Sequence, residues 1–108
     1  MVDKIKVGHK IYKVIEDDLL ADDSGRVGEI NYYRTEIKIL PRLDGQSMAE
    51  TLVHEAVHGM LDFIGERGKS EDEATVDRIT NGTLMLIRDN PELFLRFTRD
   101  EDEKGNLN

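Results

Sequence analysis

The chain has 108 residues, 38% hydrophobic and 35% charged, which fits one globular domain with a single modest core. It contains no cysteine, so a disulfide framework and every thiolate metal site are excluded; imidazole and carboxylate remain as the strong metal ligands. Fifteen Lys and Arg against 23 Asp and Glu give a net charge of −8 with no basic run, so neither nucleic acid nor an anionic membrane is the expected partner.

The opening segment, Met1-Val2-Asp3-Lys4-Ile5-Lys6, has no apolar run of the kind a secretory leader carries. No later stretch approaches the roughly 20 apolar residues of a transmembrane helix. The expected compartment is the cytosol. Ile5, Val7, Ile11, Tyr12 and Val14 alternate loosely, with Gly8-His9 as a bend between strand-like runs. The polar residues over 16–25 read as loop. Residues 27–31 and 35–40 are strand-like, with Ile37 and Ile39 on one face and Tyr32-Tyr33-Arg34 as the turn of a hairpin. The expected product is an N-terminal antiparallel sheet, with 35–40 as the edge strand open to a peptide.

The period then changes. Met48, Leu52, Val53, Ala56, Val57, Met60, Leu61 and Ile64 recur at three- and four-residue spacing, which predicts a helix over 46–64 with Gly65 just past its end. Gly59 inside it implies close packing against the sheet. Ser70 followed by Glu73 has the form of a capping box opening a second helix, whose apolar stripe is Val76, Ile79, Leu86 and Ile87. Asn90-Pro91 ends that helix, and Leu93, Phe94, Leu95 and Phe97 predict a short third helix packed on the core. From Arg99 the chain is polar and acidic, so 99–108 reads as a disordered tail behind a single domain over 1–98. Strands first and helices after define an α+β fold.

The chemistry lies in His54-Glu55-Ala56-Val57-His58, an H-E-x-x-H motif within the strongest helical pattern of the chain. Four helical residues amount to about 40° of rotation and about 6 Å of rise, so the two imidazoles project side by side. Both can reach one ion at the roughly 2.0–2.1 Å typical of zinc. Glu55 flanks that ion without easily ligating it, where a general base takes a proton from the attacking water. A catalytic zinc needs a third protein ligand. The metzincin arrangement is excluded, because the positions for its glycine and third histidine hold Leu61 and Ile64. Asp62 continues the line His54, His58 but lies a further turn along, and Glu66 has nothing to fix it. Glu73 can return opposite the histidines at the start of the next helix, although Asp72 points nearer its apolar stripe and Asp77 is also available.

The H-E-x-x-H helix, preceded by Glu50-Thr51-Leu52 and followed by Glu73-Ala74-Thr75-Val76-Asp77-Arg78-Ile79-Thr80, resembles the small phage- and mobile-element-borne metallopeptidases of the ImmA/IrrE type. Their second helix carries a Glu-x-x-Ala-Asn-x-Phe-Ala-like pattern. Glu73 takes the glutamate place, Val76 the first small apolar place, Asp77 the Asn place and Ile79 the Phe place. The resemblance covers residues 27–90 and implies a zincin-like domain in which His54, His58 and Glu73 bind Zn²⁺ and Glu55 is catalytic. It also implies cleavage of a specific protein or peptide partner. Tyr32 or Tyr33 is a candidate oxyanion donor, though hairpin packing explains both tyrosines as well, and His9 reads as a surface residue. The alternative is a non-enzymatic interaction protein with a structural metal site, its acidic surface turned to a basic partner.

Overall fold

The computed structural model describes residues 2–104; of residues 23, 24 and 99–104 only the backbone is described. Strands β1 (Lys4–Val7) and β2 (Lys10–Glu16) come first, followed by the single-turn helix α1 (Leu20–Ser24) and strands β3 (Gly28–Asn31) and β4 (Glu36–Ile39). The helices α2 (Gly45–Phe63), α3 (Arg67–Ser70), α4 (Glu73–Asp89) and α5 (Pro91–Lys104) complete the chain. This is an α+β arrangement, with one short helix, α1, set among the strands.

The four strands form one sheet in the order β1-β2-β4-β3. Each hairpin is antiparallel, but β2 and β4 pair in parallel, Val14 opposite Ile37, so the sheet is mixed rather than antiparallel throughout. The second hairpin docks through β4 because β4 carries Ile37 and Ile39, both fully buried, whereas β3 offers Glu29 and Asn31. The segment 35–40 is therefore interior, and β3 and β1 are the edges. At the β3–β4 turn the Asn31 side chain accepts from the backbone N–H of Tyr33 and Arg34, 3.0 and 2.9 Å away.

Helix α2 is the middle layer. Its Leu52 meets Tyr12, Ile37 and Ile39 of the sheet, and its Val57 and Leu61 meet Val76 of α4 on the other side. Burying each such side chain contributes roughly 1.5–3 kcal/mol. Gly59 sets the spacing: a Cβ there would stand 3.2 Å from Ile30 Cδ1, which explains a glycine inside a helix. Asp44 caps α2, its carboxylate accepting from the Ser47 N–H at 2.8 Å, and Gly65 follows the last turn as the sequence pattern predicts.

Two corrections concern the later helices. Ser70 does not cap α4; Asp72 does, accepting from the N–H of Ala74 at 3.1 Å and from the Thr75 hydroxyl at 2.9 Å. The extra turn α3 draws Ser70 into the interior instead. Helix α5 is longer than expected, running on to Lys104, and residues 105–108 lie outside the described residues. Its Leu93, Phe94, Leu95 and Phe97 are exposed rather than packed on the core, since the sheet and α4 already cover both faces of α2. Among the described residues no helix is long and apolar enough to cross a membrane.

Candidate metal centre

Helical period puts His54 and His58 one turn apart on α2, with ring centroids 4.9 Å apart. The short α3 reverses the chain and brings the first residue of α4, Glu73, over both rings. Its Oε2 lies 3.2 Å from His54 Nε2 and its Oε1 2.8 Å from His58 Nε2. One donor atom from each of the three residues falls within 4.8 Å of the others. Ligand atoms around a tetrahedral ion with bonds of 2.0–2.1 Å stand about 3.3 Å apart, so the spacing suits a single divalent cation.

Each histidine is held from behind through Nδ1. Asp77, one turn along α4 from Glu73, places Oδ1 3.2 Å from His54 Nδ1. Carboxylates only accept, and His54 faces one from each ring nitrogen, Glu73 at Nε2 and Asp77 at Nδ1; with Nε2 given to a cation, Nδ1 would carry the proton and donate it to Asp77. His58 Nδ1 meets the Ser70 hydroxyl at 3.3 Å.

Glu55 sits on the sheet side of the pair and is 5% exposed. It packs under β3 at Gly28, where a Cβ would come within 3.2 Å of Glu55 Oε2 and 2.6 Å of Thr51 Cγ2, so only glycine leaves the carboxylate room. Burial pushes the Glu55 carboxyl up to about 7; the nearby Glu73 charge adds to this and Arg26 opposes it.

No family model, curated protein or solved structure matches this chain. The functional reading therefore rests on the residues and their geometry.

The other candidate ligands are engaged elsewhere. Asp62 is buried and paired with Arg67 at 2.5 Å and Lys10 at 3.6 Å. Asp72 caps α4, and Glu66 pairs with Lys69. Asp77 supports a histidine from the side away from the centre. His9 packs edge-on against Phe63. Tyr32 lines the cleft, but its hydroxyl bonds Ser70 at 2.5 Å, while Tyr33 is exposed and accepts from Arg67 Nη1 at 3.3 Å. Sequence reasoning missed Ser70 and the supporting role of Asp77. The spacing Glu73–Asp77, one helical turn, was the available signal for the second; nothing in the pattern marked the first.

A cleft of about 780 Å³ opens over the centre, lined by Gly28 and Ile30 of β3, by His54, Glu55 and His58 of α2, and by Glu73 of α4. Such a volume accommodates a peptide segment of a few residues.

Proposed function

We propose that the protein is a zinc-dependent peptidase acting on a protein or peptide partner. The observation that supports this best is the convergence of His54, His58 and Glu73, with donor atoms within 4.8 Å of one another, at the floor of an open cleft. Two imidazoles and one carboxylate form a donor set that zinc takes in hydrolytic sites, and metal availability favours zinc over cobalt, manganese or nickel. A zinc ion held there would supply Lewis-acid polarisation of a carbonyl and lower the pKa of a water. Glu55 accepts the proton of the attacking water and delivers it to the leaving amine nitrogen. Its elevated carboxyl suits that exchange, although a bound cation would draw it back down. The edge strand β3 borders the cleft, so an extended peptide can add to it and pass over the three ligands.

Elemental analysis and a peptide-library digest of the full chain, purified without chelator, test the reading. Wild type and Glu55→Gln should each carry one zinc per chain, and the variant should cleave roughly 10²–10⁴-fold more slowly. His58→Ala should lose the metal. Zinc present with equal cleavage, or no cleavage, in wild type and Glu55→Gln would instead favour a structural metal in an interaction protein.

A further inference from the structure

Building on the peptide-binding role proposed for this cleft, we infer that its two ends select opposite charges: Glu71 takes a basic side chain on the amino side of a bound peptide, and Arg26 an acidic one on the carboxyl side. The edge of β3 sets the direction. Gly28 lies opposite Ile39 and Ile30 opposite Ile37, while the Leu40 N–H donates to the Val27 carbonyl at 2.9 Å. Bonded pairs alternate along an antiparallel ladder, so Val27, Glu29 and Asn31 face β4, and Gly28 and Ile30 turn their N–H and C=O outward. The Ile39 carbonyl agrees, since it accepts from the Asp17 N–H on the β2 side at 3.0 Å. Both outward residues line the cleft, and no described strand lies beyond them. A peptide added antiparallel, the stronger pairing per residue, exchanges hydrogen bonds with Gly28 and Ile30 and runs opposite to β3. Its amino end then lies toward Tyr32 and its carboxyl end toward Arg26.

Those two ends differ in charge. Past Ile30 the lining continues with Tyr32 and Ser70, whose hydroxyls bond each other, and Glu71 follows Ser70 in the chain at that end. Before Gly28 the lining holds Arg26, whose positive charge reaches the Glu55 carboxyl. The other carboxylates of the lining are engaged. Glu73 and Asp77 meet the histidines, Glu55 lies under Gly28, and Glu50 pairs with Arg88 at 2.9 Å. Glu71 is exposed and makes no ion pair among the described residues. An extended peptide presents alternate side chains to one face, so residues opposite Tyr32 and Arg26 both look into the cleft. Opposite charges at those two places meet Glu71 and Arg26 together; the reversed order meets like charge at each end.

The test is a ¹H–¹⁵N titration of the full Glu55→Gln chain with zinc added, so that bound peptide stays whole. The probes are two peptides of one composition, acetylated and amidated: Lys-Val-Thr-Val-Thr-Val-Asp and its reverse, Asp-Val-Thr-Val-Thr-Val-Lys. At low ionic strength the first should shift the Gly28 and Ile30 amides and bind about 3–10-fold more tightly than the reverse. Charge reversal at both ends, Glu71→Lys with Arg26→Glu, should invert the preference. Equal affinities, tighter binding of the reverse peptide, no shift at Gly28 and Ile30, or a preference unchanged by the two reversals would overturn the inference. The comparison of the two peptides on the chain with Glu71 and Arg26 intact decides even if the charge-reversed variant fails to fold. Charge-ordered binding by a protein whose wild type cleaves nothing would sink the peptidase reading and leave this one standing.

Discussion

The two walls of the cleft are built to opposite rules. On the α2–α3 side Glu55 and His58 are 5% and 7% exposed, Ser70 is buried with them, and the Asp62 side chain is 7% exposed. On the α4 side the Glu73 and Asp77 side chains are 64% and 61% exposed. The buried wall fixes geometry through hydrogen bonds that water cannot replace. The exposed wall supplies charge and remains open to solvent and substrate. The difference teaches where a change should cost stability and where it should tune binding.

A large expected effect on stability contrasts two ion pairs. Arg67→Ala leaves Asp62 buried with only Lys10, 3.6 Å away, beside it. The expected loss is about 2–3 kcal/mol, less than for a fully enclosed pair because the Arg67 side chain is itself partly exposed. Arg88→Ala removes the partner of Glu50 on the cleft rim, where both side chains face water, and should cost no more than about 0.5 kcal/mol. Urea midpoints of the two variants check the comparison. Equal losses would mean that the walls do not differ in the way their burial indicates.

A second effect follows from Glu55 in the metal-free protein. Its carboxyl moves from an ordinary 4.5 to about 7 on folding. Between those values the folded chain holds a proton that the unfolded chain has released, so stability falls as pH rises through the window. The penalty approaches about 3 kcal/mol above pH 7, because each tenfold change in proton affinity is worth about 1.36 kcal/mol. Glu55→Gln carries no such penalty. Unfolding curves without metal should show the variant gaining on wild type as pH rises from 4.5 to 8, with the gain levelling off above 7. A variant that loses ground over that range would refute the assignment.

What the sequence disclosed and what it withheld follow the same division. The spacing of His54, Glu55 and His58 is legible because helical period alone fixes their relative directions. Glu73 is favoured by its spacing on the next helix and singled out over Asp72 only with the resemblance, since its place depends on how α3 turns the chain. That turn, Arg67-Gly68-Lys69-Ser70, has no apolar period to announce it, and a serine before a helix reads as a cap whether or not it is one. Asp62 looked like the next residue in the line of ligands because nothing local shows that Arg67 claims it. The parallel pairing of β2 with β4 was hidden for a related reason: two hairpins have the same local pattern whichever strand of the second meets the first. The apolar residues of α5 read as core because composition cannot tell whether core surface remains to be covered.

The finest distinction lies between the two residues behind the histidines. Asp77 places a carboxylate oxygen 3.2 Å from His54 Nδ1 from the exposed wall, whereas the Ser70 hydroxyl reaches His58 Nδ1 across 3.3 Å from the buried one. Asp77→Asn keeps an oxygen that can accept the same hydrogen bond and removes only the negative charge. That charge raises the basicity of the His54 ring, and water and salt already screen it. The expected loss in zinc affinity is therefore less than about tenfold, smaller than for Ser70→Ala, and it should shrink further in high salt. Competition titrations of both variants at low and high ionic strength measure this. A larger, salt-independent loss in Asp77→Asn would show that the exposed wall also fixes geometry, because a bond that salt cannot weaken is one that water does not reach.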